Sequence, residues 1–390
     1  MVLLNLFSRT DNLPLLLNGK SFFLLLCITS HLQGEIIPFF NPTSTYKKNE
    51  ATISVQGFIA NDPVSIKDFF DDWEGSYSPE NGDNIAIEEL RIDIGTLVYD
   101  KYYIGYFYDR NILGRTNRDF ADAFHAIKND LEFNTQQHYD LELELEGIEE
   151  HGLMISRNIP LIDTDDHHII LGASAYLSYT TDIQQGSLSG NGTISTDQTY
   201  SATASTDYYY MNNLLYDLDV VETSGIGYGL HLGLFYENKP YGFDVQIIAN
   251  NLLSRSHWKN LPFSHVDIET SNQEINENGH VEYNPTISGL EVYRNYTQNI
   301  TPKYHLDVKK HFSQQIDLTA GVDVINDVEI PYISVSKKLN ETQKIELIYE
   351  HRFKSKGIKY QDEHFSLSVM SDGFSRASVL GISGSYVYHF

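Results

Sequence analysis

The sequence predicts an all-β protein: a single transmembrane antiparallel up-and-down β-barrel of about 16 strands, within roughly 14 to 18, with short helices in its loops. Apolar and polar residues alternate one by one along many short segments, which is the period of a strand with two different faces. Long polar loops alternate with short links in the first half, as they do at the two ends of a barrel. The 27 Tyr and 20 Phe residues can supply aromatic girdles at two membrane interfaces.

Composition narrows the partners and the compartment. The 390 residues carry a formal net charge of −26, which argues against nucleic acid as a partner because that requires a basic surface. Mean hydropathy is −0.32, which fits a barrel because only every second strand residue faces lipid. The single cysteine, Cys27, lies in a predicted leader, so we expect no disulfide and no cysteine-based metal site. No cofactor is predicted either.

The chain divides into three parts. Residues 1–34 are predicted to be a signal peptide with a long preceding region, in which Lys20 is followed by a short apolar core. Residues 35–50 are predicted to be a periplasmic N-terminal segment. Residues 51–390 are predicted to form the barrel, since regular alternation begins at Ala51.

The long loop 110–137 contains a clear helical pattern. Residues 117–129 place Phe120, Phe124 and Ile127 on one face, and the first residue, an asparagine, is a favourable N-cap. A short amphipathic helix in a barrel loop can fold into the mouth and constrict it, or pack over the rim. The sequence leaves both positions open.

The region after this helix has the strongest strand signal. Tyr and Leu alternate with carboxylates over 139–146, and the sequence predicts a turn at Gly147–His151 followed by a strand at Gly152–Asn158. With a periplasmic N-terminus, three long loops would lie outside the cell: 61–84, 110–137 and 160–167.

The second half is less regular at first. Residues 180–224 are rich in Ser, Thr, Gly and Tyr and allow roughly one to three strands. The remaining strands are predicted at 224–236, 241–250, near 280–293, and at 304–310, 315–324, 332–339, 344–353, 364–370 and 377–390.

A row of carboxylates is the sharpest polar feature: Asp140, Glu142, Glu144 and Glu146. On one barrel strand they face the lumen together, where like charges need partners or water. The candidate partners, predicted at inward positions of other strands, are Arg91, Lys309, Lys344 and Arg352. We favour a salt-bridged lumen that rigidifies the barrel; an acidic, cation-favouring pore wall is the other interpretation.

Other chemistry-bearing patterns are weak. A loop contains three acids and two histidines that could bind a divalent cation: Asp163, Asp165, Asp166, His167 and His168. Polar loops collect such residues, so no metal site is predicted. No G-x-S-x-G nucleophile motif occurs, and the glycines of Gly225–Gly229 precede no helix and form no nucleotide loop. We therefore expect a protein that is not an enzyme.

The last strand alternates up to its final residue. Leu380, Ile382, Tyr386, Tyr388 and Phe390 share one face. This pattern resembles the C-terminal signature of Gram-negative outer-membrane β-barrel proteins, in which aromatics lie two and four residues before a terminal Phe. The resemblance implies a bacterial outer-membrane location, contact with its lipid and lipopolysaccharide, and recognition of Tyr386, Tyr388 and Phe390 by the barrel-assembly machinery.

A second resemblance is confined to three segments. The glycine-interleaved strand Ser224–Tyr236, then Tyr241–Leu252 and Pro302–His305, are similar to the long-chain fatty acid transporter-like barrels and the related conjugal-transfer-associated barrels. In those families a strand ending in an Asn-Leu element is followed by a Pro-initiated strand. Residues 35–50 show no long hydrophobic plug of the kind that true fatty acid transporters have.

These observations predict an outer-membrane channel or transporter for small solutes or hydrophobic compounds, with a small molecule as its substrate. The alternative is a non-transporting structural or surface-display barrel that supports an envelope apparatus. An outer-membrane enzyme is the least favoured class. Because a fold alone is weak ground for a function, ion conductance is the property that separates the first two.

Overall fold

The structure is a computed structural model, and it describes residues 36–70, 73, 75–132, 137–194, 200–211, 220–270, 273–275, 281–283 and 286–390. The predicted leader, residues 1–34, lies outside this part of the chain. Among the described helices, none combines the length and the apolar character needed to cross a membrane.

The described residues form eighteen strands and two helices. The strands are β1 (Glu50–Asn61), β2 (Asn84–Val98), β3 (Tyr102–Thr116), β4 (His138–Asp163), β5 (His167–Ile194), β6 (Tyr200–Tyr210), β7 (Gly225–Asn238), β8 (Phe243–Glu269), β9 (Gln273–Ile275), β10 (Val281–Tyr283), β11 (Thr286–Asn299), β12 (Lys303–His311), β13 (Ile316–Ile325), β14 (Val328–Lys338), β15 (Lys344–Glu350), β16 (Lys356–Gln361), β17 (Phe365–Ser371) and β18 (Val379–His389). The helices are α1 (Ile66–Phe70) and α2 (Arg118–Lys128).

Fourteen of these strands close into an antiparallel barrel. The ring runs from β1 to β5, continues through β7 and β8, and returns through β12 to β18. It closes because β1 pairs with β2 on one side and with β18 on the other. The predicted all-β barrel is confirmed, with a strand number at the lower end of the expected range.

The wall is much taller on one side than on the other. β4, β5 and β8 have 26, 28 and 27 residues, whereas β15, β16 and β17 have 7, 6 and 7. β6 continues the line of β7 between β5 and β8, and β11 continues the line of β12 along β8. We call the end that carries this extension and α2 the loop end. The opposite end, where β1 begins and β18 ends, is the turn end.

β4 overturns one sequence prediction. The turn at Gly147–His151 is wrong, because β4 runs through these residues and they pair one for one with β3. Gly147 allows close packing instead, since a Cβ there would lie 3.1 Å from the Cβ of Gln184 and 3.4 Å from Cγ1 of Ile112. A glycine inside an alternating pattern marked a close approach here and not a turn.

A second error follows from the first. Without the predicted turn, the chain reverses one strand later than expected, between β4 and β5. Most of the predicted loop 160–167 belongs to β4 and β5; the link itself is the short turn 164–166 at the turn end, which is not the side of the long loops. The predicted strand 344–353 is also too long: it ends at Glu350, and the six-residue β16 that follows was not predicted.

Side-chain burial alternates along the strands as the sequence predicts. Leu153, Leu177 and Ile226 point away from the lumen and are 64%, 68% and 66% exposed, while their neighbours Met154 and Tyr176 point inward and are buried. An outer surface of large apolar side chains is one that water-soluble proteins normally cover. It matches the lipid-facing pattern of a transmembrane barrel.

α2 confirms the helix predicted at 117–129. Asn117 caps it, because the Asn117 side chain accepts a hydrogen bond of 2.9 Å from the backbone N–H of Phe120. Phe120 and Phe124 pack against Leu141 and Leu143 of β4. These leucines are on the opposite face of β4 from its lumen-facing residues, so α2 packs over the extension and does not enter the lumen.

Candidate functional site: a plugged lumen

Residues 36–43 lie inside the barrel, and we call them the plug. Ile37, Phe39 and Phe40 are 1%, 1% and 3% exposed. The sequence analysis found no long hydrophobic plug within residues 35–50, and it did not predict this short one. That the segment belongs to the periplasmic side stays a prediction.

Two side-chain amides hold the centre of the plug. The amide of Gln56 on β1 accepts from the backbone N–H of Phe39 at 2.9 Å and donates to its carbonyl at 3.0 Å. The amide of Asn250 on β8 does the same for Phe40, at 2.8 and 2.9 Å. A primary amide offers one acceptor and donors in one group. Each therefore replaces a neighbouring strand and satisfies buried backbone groups that would otherwise lack partners.

Charged side chains hold the start of the plug. A carboxylate oxygen of Asp323 on β13 accepts from the backbone N–H groups of Ile36 and Ile37, at 2.7 and 3.1 Å. The other oxygen of Asp323 is 2.5 Å from Nδ1 of His305. Lys303 on β12 donates to the carbonyl of Pro38 at 3.0 Å. These bonds attach the plug to β12 and β13, on the side of the barrel that has the shorter strands and that we call the low side.

The end of the plug passes over a gap in the opposite wall. Gly172 on β5 and Gly233 on β7 are direct cross-strand partners. A Cβ at Gly172 would lie 2.3 Å from the carbonyl oxygen of Pro42, and one at Gly233 would lie 2.8 Å from Cγ2 of Thr43. Only glycine leaves room for a second backbone at this distance. Asn158 of β4 then donates to the Thr43 carbonyl at 3.2 Å.

The plug also fills the lumen with apolar side chains. Ile36, Ile37 and Phe39 pack among inward-facing wall residues, which include Phe58, Ile85, Ile87, Leu113, Ile248, Ile330 and Met370. Burying such a side chain contributes about 1.5–3 kcal/mol relative to leaving it exposed. A cavity against the plug measures about 20 Å³, and a second one, lined by Lys303 and Glu146, about 30 Å³; each has room for a water molecule and is too small for a solute.

Arg91, a predicted lumen-facing residue, lies beneath the plug. Its guanidinium contacts Asp93 at 2.9 and 2.8 Å and Asp109 at 2.9 Å. It also lies over the rings of Phe40 and Phe107, 5.6 and 5.3 Å from their centroids. Since the Arg91 side chain is 2% exposed, its carboxylate partners satisfy a charge that would otherwise be costly to bury.

The predicted carboxylate row divides into two parts. Glu146 crosses the lumen and accepts from the hydroxyl and the backbone N–H of Thr301 at 2.5 and 3.3 Å. Glu144 lines a cavity of about 370 Å³ together with Glu146 and Arg115. Asp140 and Glu142 are exposed on the extension, so the four carboxylates do not form one continuous track.

The predicted cationic partners lie at different ends. Lys309 and Lys344 line a cavity at the turn end. Arg352 follows β15 at the loop end and pairs with Asp62 at 2.7 Å. None of the three contacts the carboxylate row, so the predicted partnership between these two sets is not formed.

The loop with three acids and two histidines forms the turn between β4 and β5. His168 contacts Asp163 at 3.1 Å. Within the described residues, no group of three or more candidate ligands is close enough to hold a metal ion.

The C-terminal aromatics are part of the strand that closes the barrel. Tyr386, Tyr388 and Phe390 are 40%, 57% and 67% exposed, and β18 pairs with β1 over its length. Recognition of these residues by the assembly machinery stays a prediction.

Sequence reasoning missed the residues that hold the plug: Gln56, Asn158, Asn250, Lys303 and Asp323. Each lies at an inward strand position, where polar residues are expected in any barrel. A weak signal existed in the cross-strand pair Gly172 and Gly233, because paired inward glycines mark a close backbone approach.

Comparisons with known proteins give no family assignment. No protein-family model matches the chain, and no curated protein is similar to it.

Solved structures show a distant likeness. The deltaS2S3 mutant of the TodX monoaromatic hydrocarbon channel is 11% identical, with a TM-score of 0.45 over 90% of this chain and 93% of that chain. A FadL homologue from Pseudomonas aeruginosa is 10% identical, with a TM-score of 0.33 over 87% and 88%. The outer-membrane protease OmpT from Escherichia coli is 9% identical, with a TM-score of 0.22 over 87% and 96%. At such scores no residue, ligand or activity carries over, and function is argued from the geometry of this chain.

Proposed function

We propose that this protein is an outer-membrane barrel that transports small solutes, hydrophobic compounds in particular, through a lumen that opens when the plug moves. The observation that carries the proposal is the way in which the plug is held. Its backbone bonds to side chains of Gln56, Asn250 and Asp323 and does not pair with a strand. The plug can therefore leave without breaking any pairing of the sheet.

The attachment of the plug combines hydrogen bonds with apolar packing. A neutral hydrogen bond contributes about 0.5–1.5 kcal/mol net, so the amide bonds of Gln56 and Asn250 contribute a few kcal/mol, to which burial of the apolar plug side chains adds. The barrel itself closes through β1 and β18, which begin after the plug and do not depend on it. Loss of the plug is expected to leave the wall intact.

The lining of the lumen supports a hydrophobic solute. Around the plug and toward the loop end, Phe58, Ile85, Ile87 and Leu113 point inward and are buried. Water-filled barrels have polar interiors. A displaced plug would uncover this apolar part of the wall beside the polar side chains that hold the plug, and the apolar part would favour apolar compounds over ions or sugars.

The outer surface supports a location in the outer membrane. Its exposed apolar side chains would face lipid and lipopolysaccharide, and the aromatic C-terminal strand would be read by the barrel-assembly machinery. Among the described residues, the buried pair of Glu150 and Ser178, 2.5 Å apart, includes no histidine, so we propose passage and not catalysis.

Conductance of the purified, refolded protein in planar bilayers tests the proposal. The wild type should be closed or open rarely, and a variant that lacks residues 36–46 should show frequent open steps. Liposomes with that variant should admit a small aromatic probe faster than a sugar of similar size. A deletion variant that migrates as a folded, heat-modifiable barrel and stays closed would contradict transport through the lumen.

The filled lumen supports a second candidate, a non-transporting barrel that displays its extension. The cavity against Ile36, Ile37 and Pro38 of the plug measures about 20 Å³, which is room for a water molecule and not for a solute. The deletion experiment decides between the two, because a purely structural barrel would gain a passive hole with no preference for apolar probes.

A further inference from the structure

A cavity of about 290 Å³ opens at the turn end, on the low side of the barrel. Strands β12 to β16 and the turn 339–343 line it. Four lysines contribute to its wall: Lys309, Lys338, Lys344 and Lys359. In a chain with 53 acidic and 27 basic residues, this concentration of positive charge is unexpected. We call it the lysine cavity.

Two of these lysines are direct cross-strand neighbours. Lys338 on β14 pairs with Lys344 on β15 in the register of the sheet. Directly opposed like charges destabilise a sheet. Such a pair needs either a nearby carboxylate for each ammonium group or a bound anion between them.

The carboxylates of this wall are shared among several partners. Glu346 accepts from the hydroxyl of Ser334 at 2.5 Å, lies 3.6 Å from the ammonium of Lys344, and attracts Lys359 and Lys309 as well, so one carboxylate serves three lysines. Asp307 lies 3.4 Å from Nε2 of His305. Within the described residues, no carboxylate lies within 4.0 Å of the ammonium groups of Lys309 or Lys338.

A third carboxylate on this wall is also engaged. Asp317 lies 2.7 Å from Nδ1 of His311, whose Nε2 is 3.1 Å from Asp244. These two acids share one imidazole, and Asp317 also attracts the ammonium group of Lys344, so its one negative charge is divided between two cations. Of the acids that line the cavity, Glu341 lies in the exposed turn, where solvent weakens its effect.

We propose that the lysine cavity binds a small, multiply charged anion, such as one with a phosphate or two carboxylates, from the turn end. Ammonium groups on two opposed strands can bind the same anion, and each bond to a charged partner contributes about 1.5–3 kcal/mol. Hydroxyl and amide groups of Thr319 and Gln361 complete the lining. This site lies apart from the plug and does not depend on solute passage.

Calorimetry of the refolded full-length protein, with inorganic phosphate as the probe at constant ionic strength set by chloride, tests the proposal. Wild type should bind phosphate saturably. The double variant Lys338→Gln and Lys344→Gln should bind at least about tenfold more weakly, which corresponds to one lost charged hydrogen bond. Lys356→Gln, on the same low wall but exposed at the loop end, is the matched control and should bind as wild type does.

Thermal unfolding without phosphate separates binding from a structural role. Removal of the opposed charges should raise the unfolding temperature of the double variant above that of wild type, because the repulsion is gone. A lower temperature would mean that the lysines stabilise the wall themselves, and would overturn the proposal. No saturable binding to wild type, or equal binding by the double variant, would also overturn it. Lys338→Arg with Lys344→Arg should retain binding.

Discussion

The plug and α2 are both short, both carry two phenylalanines, and both lie against the barrel wall, yet they are held in different ways. α2 satisfies its own backbone and packs through the rings of Phe120 and Phe124. The plug has no regular structure, and Gln56 and Asn250 supply the bonds that a helix or sheet would provide. Packing between aromatic and aliphatic side chains tolerates small shifts of α2. The hydrogen bonds of the plug require each donor and acceptor at a fixed position.

This difference has a functional consequence. Loosening α2 exposes one surface of the extension and leaves the lumen unchanged. On the proposed function, loosening the plug should open the lumen and leave the extension unchanged. The two segments can therefore be disturbed separately, and each serves as the control for the other.

Removal of both amides should have the largest effect. In Gln56→Leu with Asn250→Leu, the N–H and C=O groups of Phe39 and Phe40 lose their partners, at about 1–3 kcal/mol for each buried group. A total of roughly 4 kcal/mol shifts the plug equilibrium about a thousandfold toward the open state. Open probability in planar bilayers and hydrogen exchange of residues 36–43 measure it.

The matched control for this variant is Gln315→Leu, in an exposed turn at the turn end. It should keep wild-type conductance. If the double variant stays closed and its plug amides remain protected from exchange, then apolar packing and not the amides holds the plug.

A methyl group at Gly172 should have the next largest effect. The Cβ of Gly172→Ala would meet the Pro42 carbonyl oxygen at 2.3 Å, so the plug must shift, at roughly 1–3 kcal/mol. Open probability should rise about tenfold or more. Gly192→Ala on the same strand is the control, since its Cβ would have only ordinary contacts at 3.7 Å. Equal conductance of the two variants would show that the glycine pair does not position the plug.

The sequence was informative where structure follows from periodicity. Alternation located most strands, and the spacing of Phe120 and Phe124 located α2, because both patterns report which face is buried. Neither pattern predicts which residues pack against the buried face. The two positions left open for α2 were therefore resolved only by its contacts with Leu141 and Leu143.

The plug could not be predicted for a different physical reason. Its partners, such as Asn250 and Asp323, are polar residues at inward positions, and a water-lined lumen would contain the same residue types. Arg91 was predicted at an inward position as a candidate partner of the carboxylate row, but its place beneath Phe40 depends on a segment without periodicity. The error at Gly147 has a similar cause, since a glycine indicates that a side chain would not fit and does not indicate whether a turn or a close neighbour is the reason.

Loss of the α2 rings should have a smaller, local effect. Phe120→Ala with Phe124→Ala removes the contacts with Leu141 and Leu143 and should cost roughly 3 kcal/mol of local stability. Hydrogen exchange of residues 118–128 should quicken, while conductance stays at the wild-type level. A change in conductance would mean that α2 and the plug are coupled, and the comparison between them would fail.

The smallest effect expected is a pH dependence confined to α2. The ring of His125 stacks on Tyr77, with centroids 3.9 Å apart and an angle of 6°. Burial against this ring lowers the pKa of His125 below its usual value, and the nearby Asp122 opposes the shift.

A lowered pKa in the folded state means that the unfolded helix binds the proton more tightly. The stabilisation is therefore complete above the unfolded pKa of about 6.5 and is lost as the pH falls below it. Protease protection of residues 118–128 should decline from pH 7 to pH 5, and His125→Phe, which keeps a ring against Tyr77, should abolish that decline. An equal decline in both proteins would assign the pH dependence to another group, and a parallel rise in conductance would link α2 to the plug.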